Sequence, residues 1–105
     1  MNAPQLARVA EPPTTDDRQF LATWTLSAAD GGRLSIRPQR STIRLVELAR
    51  LTRRLRPVLA CGGMREIVFD LAGVRFVGVE QSVVRQLLSE FARTLHLRCR
   101  IIERR

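Results

Sequence analysis

The sequence predicts an α/β fold with the element order β-β-α-β-α-β, in which a four-stranded mixed sheet carries its helices mainly on one face. Three patterns support this prediction. Ile67-Val68-Phe69 is a short run of β-branched and aromatic residues, typical of a strand buried on both faces. Residues 19–28 and 97–101 alternate apolar and polar side chains, as half-buried strands do. Residues 45–55 and 84–91 repeat apolar side chains at helical spacing.

The N-terminal part divides into a tail and a hairpin. Residues 1–18 hold three of the five prolines and little periodicity, which predicts a flexible tail ahead of one domain at 19–105. The first strand is expected over residues 19–28, with one face formed by Phe20, Ala22, Trp24 and Leu26. Residues 29–32, Ala-Asp-Gly-Gly, predict a hairpin turn. The partner strand over residues 33–37 is stopped by Pro38.

The first helix is expected to begin after Ser41 or Thr42, either of which can cap it. One of its sides should carry Leu45, Leu48, Leu51 and Leu55, and the far side should carry Glu47, Arg50, Arg53 and Arg54. Pro57 is expected to end or kink this helix, and Gly62-Gly63 to turn the chain back into the sheet.

The stretch from 65 to 88 contains a strand end, a loop and a helix start. The buried strand closes at Asp70, residues 71–73 turn the chain, and residues 74–77 form a second extended piece. Gly78 releases the chain into a helix whose buried side is formed by Val84, Leu87, Leu88 and Phe91. In open α/β sheets, function gathers at the carboxyl ends of strands, so we place the candidate site at residues 77–82.

This stretch resembles the STAS family, which includes the bacterial anti-sigma-factor antagonists. The shared pattern is a buried strand, Asp70-Leu71, Val74 and Phe76, then a loop, an amphipathic helix and a final strand. The similarity covers residues 65–102 well and residues 20–60 loosely. After the Phe, family members typically have an apolar residue followed by Asp-Ser-Ser/Thr-Gly, whose second hydroxyl is phosphorylated by a partner kinase. Here the corresponding residues are Val77-Gly78-Val79-Glu80-Gln81, so the phosphoacceptor motif is degenerate.

The resemblance implies a STAS-like, non-enzymatic regulatory module that works by partner switching in the bacterial cytoplasm, without the standard phosphoserine. Its protein partner would be a kinase-like anti-sigma factor or a related regulator. The implied contact surface comprises Gly78, Val79, Glu80, Gln81, Ser82 and Arg85. Family members usually carry one more helix after the last strand, whereas this sequence stops at Arg105. We therefore expect the second sheet face to be an exposed apolar patch or a homodimer contact.

Two residues of the 77–82 loop are candidates for a regulatory charge. An ungapped comparison sets Glu80 at the phosphorylated position, where a carboxylate would mimic part of a phosphate's charge. The alternative is a Glu that is favoured in a first helical turn by the helix dipole alone. Matching helix phase instead sets Ser82 there, as a phosphorylation candidate on the outward side of the helix. The alternative for Ser82 is a solvated serine or a helix cap.

The composition disfavours catalysis. The chain has no lysine, which excludes Schiff-base and Walker-lysine mechanisms. Cys61 and Cys99 lack a metal or CxxC spacing and His96 is the single histidine, so no catalytic residue, metal or cofactor is predicted. Asp70 has no paired carboxylate and is expected to cap a turn. No apolar run approaches the ~20 residues of a transmembrane helix, so no membrane association is expected. The N-terminus lacks the continuous apolar region of a signal peptide, so none is predicted.

The basic charge supports an alternative function, nucleic-acid binding through the Arg-rich first helix. The net charge is +8, and six arginines cluster in and before that helix: Arg40, Arg44, Arg50, Arg53, Arg54 and Arg56. Nucleic-acid sites usually offer aromatic side chains for stacking, but the five aromatic residues here all fall at predicted core positions. Ile43 and Val46 lie among these arginines, which also suits a protein interface.

Overall fold

The computed structural model describes Arg18, Phe20 and residues 22–103. In chain order, this part of the protein contains the strands and helices β1 (Trp24–Ala29), β2 (Arg33–Pro38), β3 (Thr42–Arg44), α1 (Leu45–Ala60), β4 (Glu66–Asp70), β5 (Arg75–Val77), α2 (Gln81–Thr94) and β6 (Arg98–Ile102). The main sheet has the strand order β1-β2-β4-β6. The first two strands are antiparallel and the following pairs are parallel. The predicted α/β fold with a four-stranded mixed sheet is therefore confirmed.

The core lies between this sheet and both helices. Leu34, Ile36, Ile67 and Phe69 alternate along β2 and β4, so they share one sheet face, and all four are buried. They form one cluster with the apolar sides of α1 and α2, contributed by Leu48, Leu51, Leu55, Leu59, Val84, Leu88, Phe91 and Ala92. Both helices thus cover the same face, as the right-handed crossover of parallel strands requires.

The opposite sheet face is mainly polar where it is described. It bears a cavity of about 230 Å³ lined by Thr25, Ser27, Ser35, Arg37, Val68, Asp70 and Ile102. Only Val68 and Ile102 are apolar in that lining, and Val68 is 6% exposed. Of the two expected alternatives, an exposed apolar patch is not seen on this face within residues 22–103. The homodimer contact stays a prediction.

The start of β1 differs from the prediction. Phe20, Ala22 and Thr23 are helical, and the strand begins only at Trp24. Phe20 and Trp24 are buried as predicted, but Leu26 is 39% exposed. Alternating apolar residues over so short a stretch do not separate a strand from a helical turn, because both bury Phe20. Apart from Arg18, the tail predicted for residues 1–18 lies outside the described residues.

A second, two-stranded sheet was only half expected. β5 confirms the extended piece predicted after Gly73, and it pairs in parallel with β3, with Ile43 opposite Phe76. Because Thr42 belongs to β3, the predicted Ser41 or Thr42 cap is wrong, and α1 begins at Leu45.

Some details of α1 differ from the helix predicted from periodicity. The helix does not end at Pro57 but continues to Ala60, and Gly62 and Gly63 follow it with positive φ, as the predicted turn requires. Leu45 is 43% exposed and does not join the buried leucines. Glu47, which was placed on the solvent side, is 5% exposed. Glu47 is buried because its carboxylate folds back onto the Arg44 N–H and also accepts a bond from Arg40.

Candidate functional site

The two helices begin side by side at one end of the molecule. β3 and β5 are parallel, and Arg44, the last residue of β3, is the register partner of Val77, the last residue of β5. β3 runs directly into α1, whereas β5 reaches α2 through the short loop Gly78–Glu80. The predicted 77–82 site and the start of the Arg-rich helix therefore share one surface. From the sequence alone, the loop and the Arg-rich helix were candidates for two separate binding sites.

The loop between β5 and α2 is set by its backbone. Gly78 has φ +79°, in the left-handed region where glycine carries no steric cost, and a Cβ there would meet no atom within 4 Å. Glu80 is the N-cap residue of α2 with extended backbone angles, φ −77° and ψ 148°. Its carbonyl oxygen accepts the N–H groups of Val83 and Val84, each at 3.1 Å. Its side chain makes no capping hydrogen bond, so the carboxylate is directed to solvent.

Most of the predicted contact residues are exposed together. The exposed set is Gly78, Glu80, Gln81, Ser82 and Arg85, whereas Val79 is half-buried and packs against the core. Val79 therefore anchors the loop and offers little side chain to a partner. Ser82 lies in the first turn of α2, which places it on the accessible helix start where it was predicted.

Glu103 belongs to this surface and was missed. Its carboxylate accepts a hydrogen bond from the Gln81 side-chain amide and forms an ion pair with Arg85 at 3.1 Å. These contacts join the first turn of α2 to the chain just after β6. No sequence pattern indicates the pairing, because it depends on how β6 docks beside β4. The only available signal was that Glu103 directly follows the last strand.

Four aliphatic side chains at or next to the two helix starts are exposed. Their exposed fractions are 43% for Leu45, 53% for Val46, 45% for Val77 and 46% for Val83. Val77 is on the strand that pairs with β3, and Leu45 and Val46 directly follow β3. Apolar side chains grouped among polar ones are typical of a protein interface, whereas single exposed aliphatic residues need no explanation.

The N-terminus of α1 is capped by Glu47, a residue predicted from the sequence to lie on the solvent side. Its carboxylate accepts the backbone N–H of Arg44 at 2.9 Å, which satisfies one of the free donors at the helix start. The Arg40 guanidinium donates to the same carboxylate at 3.4 Å. The Nε of Arg44 lies 3.9 Å from it. A buried acid is tolerated here because these donors compensate the loss of water.

Two further arginines of α1, Arg54 and Arg56, cover aromatic side chains of the core. The Arg54 guanidinium lies 5.1 Å from the ring centre of Phe20, and that of Arg56 lies 5.4 Å from the ring centre of Phe91. Both distances fit cation–π contacts. Trp24 and Phe69 are buried too, as predicted. The arginine-bearing surface described here therefore presents no stacking platform to a nucleobase.

Asp70 and Cys99, two side chains with reactive groups, lie in environments that suit structural roles. Residues 22–103 contain no cluster of three or more side chains that could hold a metal ion. Asp70 accepts the Ala72 N–H at 3.3 Å and pairs with Arg37 at 3.6 Å, so its turn-capping role is confirmed. Burial raises the pKa of the Cys99 thiol, partly offset by a hydrogen bond with Ser89, and this disfavours the reactive thiolate. The described helices include none with the length and apolar character needed to cross a bilayer.

Comparison with known proteins shows the fold alone. No protein-family model matches the chain, and no curated protein matches it. A crystal structure of Mglu superposes with a TM-score of 0.57 and 16% identity over 95% of this chain. A second, of Mglu in its native form, superposes with a TM-score of 0.54 and 19% identity over 96%. The chain spans 23% and 29% of those two chains, so the likeness concerns a part of each.

Proposed function

We propose that the chain is a non-enzymatic regulatory module that binds another protein, a STAS-type relative of the bacterial anti-sigma-factor antagonists. The proposed partner is a kinase-like anti-sigma factor or a related cytoplasmic regulator. The observation that carries the proposal is the surface at the two helix starts. There most residues of the 78–82 loop are exposed, and so are Leu45, Val46, Val77 and Val83, which lie at or next to the two paired helix starts.

The chemistry of this surface suits protein recognition. Its aliphatic side chains supply the apolar contact area, while Glu80, Gln81 and Arg85 supply hydrogen-bonding groups around it. The contacts of Glu103 with Gln81 and Arg85 hold the start of α2 in one geometry, which lowers the entropy lost on binding.

Regulation at this surface takes one of two forms. In the first, Glu80 acts as a permanent partial mimic of a phosphate, since its exposed carboxylate makes no capping bond. In the second, Ser82 accepts a phosphate from the partner kinase at the exposed helix start, where the helix dipole favours negative charge. Incubation with the partner and ATP distinguishes them. The second form requires phosphate on Ser82 that the Ser82→Ala variant lacks.

Nucleic-acid binding through α1 stands second. Its support is the net charge of +8, which attracts polyanions without sequence preference. The buried aromatic residues and the guanidiniums of Arg54 and Arg56 that cover two of them argue against a stacking site on α1.

The decisive experiment uses the full chain as bait in native cell lysate, followed by mass spectrometry and affinity measurement with the recovered partner. We expect a protein partner whose affinity falls at least about tenfold with Glu80→Arg or with Arg85→Glu. The matched control is Glu90→Arg, the same charge change farther along α2, which should alter affinity less than about twofold. Equal losses from Glu80→Arg and Glu90→Arg would place the contact elsewhere. Recovery of tightly bound nucleic acid at ~0.15 M salt would favour the alternative.

A further inference from the structure

A polar cavity of about 260 Å³ lies beside the start of α1. It is lined by Thr23, Arg40, Arg44, Val46, Glu47 and Arg50. Three of these side chains are guanidiniums, one is a carboxylate, one is a hydroxyl and only Val46 is apolar. The cavity is thus formed largely from hydrogen-bond donors, at the end of the molecule where the two helices start.

The carboxylate in this lining uses little of the donor capacity around it. Glu47 is held at the back of the cavity, with its side chain 7% exposed. Arg40 reaches it with a single N–H bond of 3.4 Å, and the Arg44 Nε stands 3.9 Å away, beyond hydrogen-bond distance. These two side chains are 56% and 67% exposed. Each guanidinium carries five N–H donors, so with respect to the described residues most donors of Arg40 and Arg44 remain for another acceptor.

The lining also restricts the kind of acceptor. Planar guanidiniums match tetrahedral and planar oxyanions through paired N–H donors. No aromatic side chain lines the cavity, so it offers a nucleobase nothing to stack on. A dianion gains more than a carboxylate from several guanidiniums, because a phosphate monoester carries ~1.5–2 charges near neutral pH. A phosphate monoester with a small non-aromatic substituent offers the required oxyanion and charge and needs no stacking partner.

We infer that this cavity is a binding site for a phosphate monoester, held by the guanidiniums of Arg40 and Arg44. Arg50 contributes positive charge to the lining, and it already makes an interaction of its own. The Glu47 carboxylate attracts both guanidiniums, at 3.4 Å from Arg40 and 3.9 Å from Arg44, and leaves both side chains more than half exposed to a ligand. The cavity shares Val46 with the proposed partner-binding surface, but the inference does not rest on that function, because the ligand is held by Arg40 and Arg44.

The test is a titration of the full chain with inorganic phosphate at low ionic strength. Binding is monitored through the NMR chemical shifts of the backbone amides and the arginine Nε–H groups. We expect a saturable shift confined to residues around 40–50. Arg40→Gln and Arg44→Gln should each weaken binding about fivefold, since each removes charge-assisted donors. Arg40→Lys keeps the charge without the paired donors and should still lose about threefold. Neither glutamine variant alters the Arg44 N–H bond to Glu47, so both should remain folded, which circular dichroism checks.

The matched control is Arg53→Gln, which removes an exposed charge from the same helix outside the cavity. It should change the affinity by less than about twofold at low salt. Equal weakening by Arg53→Gln and Arg44→Gln, or shifts that spread over the surface without saturating, would overturn the inference. Two further ligands distinguish the source of the phosphate. A phosphoserine peptide that binds more tightly than glycerol phosphate indicates a protein source, and equal affinities indicate a small metabolite.

Discussion

The two helices of this protein start next to each other, but their N-termini are capped in different ways. At the start of α1 the Glu47 carboxylate is buried and accepts hydrogen bonds from the Arg44 N–H and the Arg40 guanidinium. At the start of α2 the Glu80 carboxylate makes no capping bond and stays exposed. One acid is used inside the fold, and the other remains available to a ligand. Two acids near helix starts can therefore differ in role, and hydrogen-bond geometry separates them where sequence position does not.

The largest expected effect tests the α1 side of this comparison. Glu47→Ala should lower the free energy of unfolding by about 2 kcal/mol, because it removes a buried acceptor of the Arg44 N–H. Glu80→Ala should change it by less than about 0.5 kcal/mol, since that side chain is exposed and makes no capping bond. Urea denaturation followed by circular dichroism measures both. If the two variants lose equal stability, the assignment of different roles to the two acids is wrong.

A smaller effect is expected at the turn that precedes α2. Gly78→Ala should destabilise the protein by about 1 kcal/mol, because φ +79° is unfavourable for a residue with a Cβ although the space is open. Gly78→Asn should lose less than the alanine variant, because Asn tolerates the left-handed region better. Thermal melts compare the three chains. An alanine variant as stable as the wild type would show that the loop relaxes to another backbone conformation.

A gain of stability is expected from a negative charge added at the start of α2. Ser82→Asp should stabilise the protein by about 0.5 kcal/mol at low salt through the helix dipole, and the gain should shrink as salt is added. Ser82→Asn is the neutral control of similar shape and should show no such salt dependence. Chemical denaturation at two ionic strengths gives the comparison. A loss of stability in Ser82→Asp would mean that Glu80 already occupies the favourable position.

The smallest effect concerns the residue that fastens α2 to the end of β6. Glu103→Gln weakens the contacts with Gln81 and Arg85, yet Arg85 is 55% exposed, so the cost should stay near 0.3 kcal/mol. The clearer readout is amide hydrogen exchange in the first turn of α2, which should become faster while α1 is unchanged. Exchange that speeds up in both helices would show that their starts are mechanically coupled and not independent.

The sequence predicted the parts of the fold that carry a clear apolar pattern. The crossover helices and the half-buried strands follow from periodicities of 3.6 and 2.0 residues, and the strand around Ile67 follows from its short run of β-branched and aromatic side chains. β3 escaped because three residues are too few to show a period, and because its partner β5 lies in a distant part of the chain. The missed β3 also moved the predicted start of α1. Glu47 was placed on the solvent side because periodicity does not show that its carboxylate folds back onto the Arg44 N–H.

The candidate site was predictable in position and less so in composition. A strand end followed by Gly78 and an amphipathic helix indicated the 77–82 loop, and the structure exposes most of the residues named there. Val79 packs against the core instead of facing a partner, and Glu103, near the C-terminal end of the chain, forms an ion pair with Arg85. The adjacent α1 start, with its arginine-lined cavity, could not be found from local patterns. It is created by the parallel pairing of β3 with β5, which is a tertiary contact.

The parallel pairings have a consequence for how the chain folds. Arg33 and Glu66 are 33 positions apart. The pairs Ile67 with Cys99 and Thr42 with Arg75 have nearly the same separation. Only the β1–β2 hairpin closes a short loop. Each parallel contact must therefore wait for a helical crossover to form and dock, so folding should be slower than that of a helical bundle of this length. The hairpin can form within microseconds, and it presents the β2 edge on which β4 and then β6 add in sequence order.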